Sequence, residues 1–372
     1  MRAGHDVAIH SFACSGHETP RNTPLFAAPE TGGVTNPTNQ SDFARHLERF
    51  SADIVINQMP YDHMTGERIR EFGQAASLGC LRNTLFSVRN NLDNFVRNKT
   101  PRMFHWLTLN GVGRAAFLAL HRHRHAVDLR RILATYDRFV LFAPPNEAEL
   151  AYFVPDYDPA KIALIPNSIP SVAVTIPEKQ KRILWLARVA VHQKRADLVL
   201  PVWRCIAKAL PDWTLDIVGD GPYLSEMRAS AARQDVPRVI FHGRQPSKPF
   251  FERAAIFLMT SDFEGFPNTL IEAQSQGAVP VAVDSYPMVN ALIDDGSNGV
   301  SVPQGDMTAF ANAVIGLGHA DARRASMAHA ALRSAAEYTE ARVVTRWQAL
   351  LEEVQRERIT RGSARSGLAV RS

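Results

Sequence analysis

The chain has 372 residues, of which 45% are hydrophobic and 21% charged, and its formal net charge at pH 7 is +5. This profile indicates a globular protein of two ordinary domains. The longest apolar runs reach only about six residues and residues 1–10 have no apolar core, so we expect neither a membrane span nor a signal peptide. Three widely spaced cysteines, Cys14, Cys80 and Cys205, favour a reduced, cytoplasmic protein.

Strands and helices alternate along the first half of the chain. Short apolar runs predict strands at residues 6–10, 25–28, 53–57, 84–88, 139–142 and 161–166. Helical spacing of apolar residues predicts helices at 42–50, 65–77 and 146–153. A polar linker at 171–181 then marks a domain boundary.

Positive charge is concentrated at residues 82–131, where ten Lys or Arg residues accompany only two acidic ones. Apolar and aromatic residues are interleaved with this charge, which is typical of a face that meets anionic lipid headgroups or a polyanionic substrate. An ordinary solvated face shows the same pattern, so both interpretations stay open. His121 and His125 could meet on a helix here, but the neighbouring arginines would repel a cation, so we expect no metal there.

The alternation is clearer in the second half. Strands are predicted at 183–187, 215–218, 239–242, 256–260, 279–283 and 300–303, with helices between them. Two helices follow, at 320–338 and 340–357, and the Arg-, Ser- and Gly-rich tail at 356–372 is predicted to be disordered. This order indicates an α/β fold of two doubly wound, Rossmann-like domains that face each other across a cleft.

We therefore divide the chain into three parts. Residues 1–174 form an N-terminal domain, residues 175–336 form a ligand-binding domain, and residues 337–372 form a helix that returns toward the first domain and the tail. In such sheets ligands lie beyond the carboxyl ends of the strands.

The stretch at 261–276 is the centre of the predicted site. Pro267 followed by Asn268 suits the first turn of a helix, so Glu264 lies on a loop and Glu272, eight positions later, on the helix. Free N–H groups at a helix start bind phosphate, and carboxylates accept hydrogen bonds from hydroxyls. The stretch therefore suits a ligand with a sugar and a ribose on either side of a pyrophosphate, although a solvated surface loop is the alternative.

Two cations are expected at the same sheet edge. Arg188 follows the strand at 183–187, and Lys194 lies six positions further on. Together with the helix start near Asn268 they could contact one pyrophosphate.

Gly219 and Gly221 form a turn after the strand at 215–218, which would let the backbone approach a ligand closely. Leu224 stands where the third glycine of a dinucleotide-binding fingerprint would be. A nicotinamide-dependent dehydrogenase is therefore not expected.

Taken together, these motifs resemble the GT-B glycosyltransferases, specifically the retaining nucleotide-sugar transferases of family 4, over residues 151–347. The segments that carry the resemblance are I-P-N-S-I at 165–169, A-R-x5-K at 187–194, I-V-G-D-G-P at 217–222, F-H-G at 241–243, S-D-F-E-G-F-P-N-T-L-I-E-A at 261–273 and G-A-V-P-V-A at 277–282.

The resemblance implies roles for the matching residues. Arg188 and Lys194 would hold the donor diphosphate as it leaves, and Glu264 would bind hydroxyls of the transferred sugar. Glu272 would bind the ribose diol. The remaining donor-binding positions would be Gly219 and Gly221, Arg244 against the base, and Phe266, Pro267 and Asn268 over the phosphates. No metal or other cofactor is implied.

The N-terminal part departs from the family pattern. Family members usually place a strand, a glycine-rich loop and a helix before a phrase such as Gly-His-Asp-Val, which here occupies residues 4–7. We therefore expect that some tens of residues are missing and that the first domain is incomplete. Many relatives have a histidine after the strand that matches 84–88, where this chain has Arg89. His63 and Arg89 are candidate acceptor-side residues.

The resemblance implies transfer of a sugar from a nucleoside-diphosphate sugar to a hydroxyl of a glycan or lipid-linked acceptor, in cell-surface polysaccharide or glycolipid synthesis. The segment at 82–131 could contact the anionic inner face of the cell membrane, and no nucleic-acid partner is expected. The alternative is a non-catalytic, nucleotide-sugar-binding partner subunit. A sugar phosphorylase or epimerase on the same fold has no positive support.

Overall fold

The structure, a computed structural model, describes residues 6–11, 23, 25–27, 29–30, 33–73, 75–90, 92–99, 101 and 111–369. At residues 94, 97–99 and 361–369 only the backbone is described. All strand pairs between the described strands are parallel, and these strands form three sheets.

The N-terminal lobe contains two of these sheets. One pairs β1 (Ile9–Ser11) with β2 (Leu25–Ala27). The other has the order β3 (Ile54–Asn57), β4 (Ala76–Cys80), β5 (Arg138–Leu141), β6 (Ile162–Leu164). The helices of this lobe are α1 (Pro37–Phe50), α2 (Met64–Phe72), α3 (Ser87–Asn90), α4 (Leu92–Lys99), α5 (Gly111–Thr135) and α6 (Pro144–Phe153).

One strand of this lobe was predicted at the wrong place. The strand next to β3 is β4, whereas residues 84–86 form a loop that leads into α3. The helix predicted through 65–77 ends at Phe72. The hydrophobic pattern did not predict β4, because Leu78 is its only large apolar residue. Every residue of the strand is nevertheless buried. Small residues are required there, since a Cβ on Gly79 would lie 2.9 Å from the ring of Phe139.

The C-terminal lobe contains a six-stranded sheet, and all six predicted strands are present. Its strands are β7 (Gln180–Leu186), β8 (Thr214–Val218), β9 (Val239–Gly243), β10 (Ala254–Met259), β11 (Val279–Asp284) and β12 (Val300–Pro303), in the spatial order β12-β11-β10-β7-β8-β9. Its helices are α7 (Ala196–Ala209), α8 (Leu224–Arg233), α9 (Lys248–Arg253), α10 (Asn268–Ser275), α11 (Met288–Leu292), α12 (Met307–His319) and α13 (Asp321–Ala335).

Alternate residues of this sheet belong to two separate hydrophobic clusters. Ile183 and Trp185 of β7 pack in one cluster, and Leu184 between them packs in the other. Since successive side chains of a strand point to opposite faces, the sheet is covered on both sides. This arrangement confirms the α/β fold class predicted from the sequence.

The last helix, α14 (Glu340–Ala369), returns to the N-terminal lobe. Its buried residues Val343, Leu350 and Val354 pack in one cluster with Leu78 of β4 and Val140 of β5. The guanidinium of Arg138, at the start of β5, pairs with two glutamates of this helix, Glu353 and Glu357. The backbone is helical through Ala369, although composition predicted disorder from residue 356.

The two lobes meet through the loops that follow their strands. A Cβ on Gly265, in the loop after β10, would lie 2.7 Å from the Arg82 carbonyl oxygen, in the loop after β4. The ring of Phe266 lies 5.2 Å from that of Phe142, which follows β5 directly. The carboxyl ends of the two main sheets therefore face each other, which is the geometry in which doubly wound sheets bind ligands.

Candidate functional site

Glu264 lies on the loop between β10 and α10 and is only 8% exposed. The Lys194 ammonium, in the loop between β7 and α7, contacts one of its carboxylate oxygens. The side chain of Gln193 donates a hydrogen bond of 3.0 Å to the other. Because β7 and β10 are neighbouring strands, the loops that follow them meet, although the paired residues are 70 positions apart in the sequence.

A buried hydroxyl holds the backbone of Lys194. Thr260, at the end of β10, donates a hydrogen bond of 2.7 Å from Oγ1 to the Lys194 carbonyl oxygen. The same hydroxyl accepts a bond of 3.0 Å from the indole N–H of Trp185. Thr260 and Trp185 are 2% and 1% exposed, so this chain of hydrogen bonds lies inside the lobe. It fixes the position of the Lys194 backbone.

A second ion pair, between Arg195 and Asp262, joins the loop after β7 to the loop after β10. Arg195 has a left-handed backbone conformation, with φ of 49°. Its Nη1 lies 3.3 Å from the Asp262 carboxylate, two residues before Glu264. Burial raises the pKa of Asp262, although Arg195 opposes this shift. The pair thus holds the start of the Glu264 loop against the start of α7.

Gly219 and Gly221 have a structural role that the sequence did not reveal. Gly219 has φ of 138°, and a Cβ there would lie 1.9 Å from the Ala187 carbonyl oxygen. A Cβ on Gly221 would lie 2.5 Å from the carbonyl oxygen of Val189. Val189 N–H donates a hydrogen bond of 2.9 Å to Asp220 O. The glycines therefore let the loops after β7 and β8 pack on each other. Arg188 lies between Ala187 and Val189, the two residues that the glycines approach.

Arg188 and Arg244 both have exposed side chains. Arg188 lies in the same loop as Lys194, and Arg244 follows β9 directly. Of the two cations predicted after β7, Lys194 is therefore the one held against Glu264, while Arg188 faces solvent.

The helix predicted at 267–276 is confirmed as α10, with Pro267 as its N-cap residue. Phe266 and Pro267 are buried and Asn268 is exposed. The side-chain oxygen of Asn268 accepts a hydrogen bond of 3.0 Å from Asn167, in the segment that joins the lobes. This contact places the start of α10 at the junction of the two lobes.

Glu272 lies on α10, as predicted, and its side chain is partly buried. Burial raises the pKa of its carboxyl group, and a hydrogen bond with the Ser247 side chain lowers it again in part. Ser247 and Arg244 belong to the loop between β9 and α9. The loop assigned to the base thus meets the carboxylate assigned to the ribose.

The two acceptor-side candidates lie in the N-terminal lobe. His63 precedes α2, and Arg89 is exposed on α3. Asn90, next to Arg89, donates a hydrogen bond of 3.3 Å to the Ser285 carbonyl oxygen at the end of β11. The Ser285 hydroxyl in turn donates to the Ser261 carbonyl oxygen at 2.5 Å. Arg89 therefore adjoins the loop that carries Glu264, whereas no described contact links His63 to it.

Three potential metal ligands come together on β1 and α1, in the part of the chain that the structure describes. His10, Asp42 and His46 have ligand atoms within 4.8 Å of one another. The Nδ1 atoms of the two histidines are 3.1 Å apart, a hydrogen-bond distance that accounts for their approach. His121 and His125 stack on each other, with ring centroids 5.1 Å apart.

Sequence reasoning missed the residues that hold the site together. Gln193, Thr260, Asp262 and Asn90 act through hydrogen bonds or ion pairs between loops, and no local pattern marks such residues. Asn167 belongs to the same group, since its bond with Asn268 joins the segment between the lobes to the start of α10.

The C-terminal lobe matches a known sequence family. Residues 180–319 match the family described as Glycosyl transferases group 1, which is rather more than a third of the chain. An exopolysaccharide phosphotransferase from Streptomyces coelicolor is 27% identical over 200 residues, covering 52% of this chain and 21% of the relative. A lipopolysaccharide 1,6-galactosyltransferase from Salmonella typhimurium is 31% identical over 141 residues, covering 36% of this chain and 39% of the relative. The chain thus spans less than half the length of these relatives.

Solved structures extend the likeness to both lobes. The Anabaena protein HepE in complex with UDP and glucose superposes with a TM-score of 0.65 at 14% identity, covering 89% of this chain and 85% of that protein. Identity this low shows the fold alone. That fold is the GT-B type predicted from the sequence motifs. No described helix combines the length and apolar character needed to cross a bilayer.

Proposed function

We propose that the protein is a retaining glycosyltransferase of family 4 that moves a sugar from a nucleoside-diphosphate sugar to a hydroxyl of a glycan or lipid-linked acceptor. The observation that carries this proposal is the buried contact between Lys194 and Glu264 where the two sheet edges face each other. It supplies a cation for a diphosphate and a carboxylate for sugar hydroxyls at one place. The match to the glycosyl transferases group 1 family supports the same reaction class.

In this mechanism the bond between the anomeric carbon and the diphosphate oxygen breaks while the acceptor oxygen bonds to the same face of that carbon. Because the acceptor attacks the face from which the diphosphate leaves, the configuration is retained. The departing phosphate oxygen takes the proton of the acceptor hydroxyl. Negative charge grows on the diphosphate, and Lys194 with Arg188 stabilises it. These two cations and the positive end of the α10 dipole compensate this negative charge without a metal. We therefore propose a metal-independent reaction.

The remaining donor contacts are proposed from the match to the family's motifs, and the positions of the loops support them. Glu264 accepts hydrogen bonds from hydroxyls of the transferred sugar, and Glu272 accepts them from the ribose diol. The backbone at Phe266, Pro267 and Asn268 covers the phosphates. Contacts between the lobes, including the one at Gly265, keep water from the donor, which water would otherwise hydrolyse.

The acceptor belongs to the N-terminal lobe in this proposal. The basic segment at 82–131 includes α4 and most of α5, and it is the proposed contact with the anionic inner face of the cell membrane. The protein would then act in the cytoplasm, at the membrane surface, in cell-surface polysaccharide or glycolipid synthesis.

A non-catalytic, nucleotide-sugar-binding subunit is the second candidate. It is favoured by one observation, that β1 and β2 pair only with each other among the described strands and do not join the sheet of β3–β6. An acceptor lobe built in this way could depend on a partner chain. The presence of both Glu264 and Glu272 at the positions that match the family's motif argues for the enzyme.

A donor screen tests the proposal. Purified protein is examined by thermal shift against a panel of nucleoside-diphosphate sugars, first without metal and then with magnesium. We expect one donor to raise the melting temperature without metal, and we expect the shift to be lost in Glu272→Ala. Glu178→Ala, at an exposed position in the segment between the lobes, is the matched control and should keep the shift.

The transfer reaction is then followed with that donor. Loss of transfer in Glu264→Ala with donor binding retained supports the enzyme, and NMR of the anomeric proton in the product tests retention. Donor binding with no turnover in the wild-type protein would favour the subunit. A well-folded protein that binds none of the donors would refute both candidates.

A further inference from the structure

Two arginines from different helices converge on one tyrosine ring beside the cleft. The guanidinium carbon of Arg89, on α3, lies 4.7 Å from the centroid of the Tyr152 ring. The guanidinium carbon of Arg122, on α5, lies 4.4 Å from the same centroid. The two cationic carbons are therefore no more than about 9 Å apart, which is comparable with the screening length of about 8 Å in physiological salt.

The platform beneath these cations is rigid. Tyr152 makes edge contacts with Phe86 and Phe153, at centroid distances of 5.3 and 5.1 Å. Arg122 also donates a hydrogen bond of 3.0 Å from Nε to the Tyr152 carbonyl oxygen. Both guanidinium groups are thus held in place before any ligand arrives, which reduces the entropy that binding costs.

The charge of this cluster is not neutralised within the described part of the chain. Neither Arg89 nor Arg122 forms an ion pair with a described carboxylate, and both are exposed. Other arginines nearby are paired, since Arg114 contacts Asp93 and Arg130 contacts Asp156. An aromatic face attracts a cation, but the ring carries no net charge, so the repulsion between the two guanidinium groups remains.

A groove leads away from this cluster. It has a volume of about 490 Å³ and runs between α5 and the end of α6. Its lining includes Arg122, His123 and Arg130 together with apolar side chains of α5 such as Leu118. Arg122 and Arg130 are eight residues apart on one helix, so the groove follows about 12 Å of helix, the scale of an extended chain rather than of a single ion.

The other end of the cluster adjoins the candidate site. Asn90 follows Arg89 and bonds to the Ser285 carbonyl oxygen, and the Ser285 hydroxyl bonds to Ser261, three residues before Glu264. Two hydrogen bonds therefore connect the residue after Arg89 to the loop that carries Glu264.

We propose that Arg89 and Arg122, held on Tyr152, bind a phosphate group of the acceptor. Guanidinium groups match phosphate oxygens in planar, paired hydrogen bonds, and two of them can share one phosphodiester or pyrophosphate. The acceptor is then a phosphate-bearing chain or lipid whose hydroxyl reaches the cleft while its phosphate stays at the cluster. This assignment of the acceptor class rests on the proposed function, but binding of phosphate at the cluster does not.

Binding is measured by calorimetry on the full chain, with nucleoside diphosphate present to occupy the donor site. The probes are a soluble glycerol-phosphate oligomer, vesicles with and without an anionic phospholipid, and a neutral oligosaccharide. We expect Arg89→Gln and Arg122→Gln each to weaken binding of the phosphate probe at least tenfold. Arg323→Gln, at an exposed position of α13 outside the basic segment and with the same change of charge, should bind like the wild type.

Substitutions of Tyr152 distinguish the positioning of the two guanidinium groups from their charge. Tyr152→Leu keeps both cations but removes the ring, and we expect it to weaken phosphate binding, whereas Tyr152→Phe should not. Circular dichroism and the melting temperature check that each variant is folded. Binding of the oligomer would identify a chain phosphate, and binding of the anionic vesicles alone would identify a lipid headgroup.

The proposal is overturned if no phosphate probe binds, if the neutral oligosaccharide binds equally well, or if Arg323→Gln loses as much affinity as Arg89→Gln. Its failure is distinct from failure of the proposed function. A protein that binds nucleoside-diphosphate sugars but no phosphate probe refutes only this inference. A protein that binds the phosphate probe at the cluster but no donor refutes only the transferase.

Discussion

The ammonium group of Lys194 contacts the carboxylate of Glu264, so the cation that follows β7 and the acid that follows β10 form one largely buried pair. Their side chains are 20% and 10% exposed. A pair with so little access to water must be satisfied as a unit, because either partner alone would be a poorly solvated charge. A donor that binds here must therefore form hydrogen bonds with Lys194 and Glu264 while the two side chains remain in contact.

Removal of either partner should therefore destabilise the protein by about 3–5 kcal/mol, and removal of both by less than the sum. The test is a double-mutant cycle with Lys194→Met and Glu264→Gln, in which the free energy of unfolding is measured by urea denaturation. The exposed pair of Arg233 and Glu226 is the matched control, with an expected coupling below about 1 kcal/mol. Equal coupling in the two cycles would mean that the Lys194 pair is solvated in solution.

Thr260→Val should leave the indole N–H of Trp185 without an acceptor inside the lobe. We expect a loss of about 1–3 kcal/mol in the free energy of unfolding, because a buried donor loses its partner. Since the same hydroxyl holds the Lys194 backbone, kcat should fall while donor affinity changes less. The comparison is Thr308→Val at an exposed position of α12, which should change neither quantity. An unchanged kcat would show that Lys194 is held by its other contacts.

Gly219→Ala should be among the most destabilising substitutions in the C-terminal lobe. The added Cβ would meet backbone at 1.9 Å, and φ of 138° is itself unfavourable for alanine, so we expect a loss of at least about 3 kcal/mol. Gly305 also has a positive φ, of 89°, but open space around it. Gly305→Ala should therefore cost only about 1 kcal/mol. Similar urea midpoints for the two variants would contradict the close approach of the loops after β7 and β8.

Donor affinity should depend on pH through Glu272. Burial raises the pKa of this carboxyl group above its ordinary value of 4.5, so ionisation costs the folded protein free energy as the pH rises through the raised pKa. Ribose hydroxyls stabilise the ionised form, so donor binding releases a proton there and affinity increases with pH. Calorimetry from pH 5 to 8 with a nucleoside-diphosphate sugar, whose diphosphate does not titrate in this range, should show this increase, and Glu272→Gln should abolish it. An increase that persists in Glu272→Gln would assign it to another group.

Local sequence patterns predicted the elements of the C-terminal lobe because its strands are runs of large apolar residues separated by amphipathic helices. Pro267 was sufficient to place Glu264 on a loop and Glu272 on a helix, since proline fixes the first turn. The functional roles of those residues stay predictions. Strand β4 could not be found in this way, because a strand of small residues is buried by its neighbours and not by its own hydrophobicity.

The sequence by itself thus determined the α/β class, the order of the elements in the C-terminal lobe and the two candidate carboxylates, all of which depend on residues close together in the chain. Only the tertiary structure decided that Glu264 pairs with Lys194 while Arg188 faces solvent, and that Arg89 and Arg122 share Tyr152. The physical reason is that a parallel sheet and its packed helices bring together loops tens of residues apart. The order of the strands in the sheet and the contacts between the lobes decide which side chains meet in these loops. No local sequence pattern encodes the strand order or the lobe contacts.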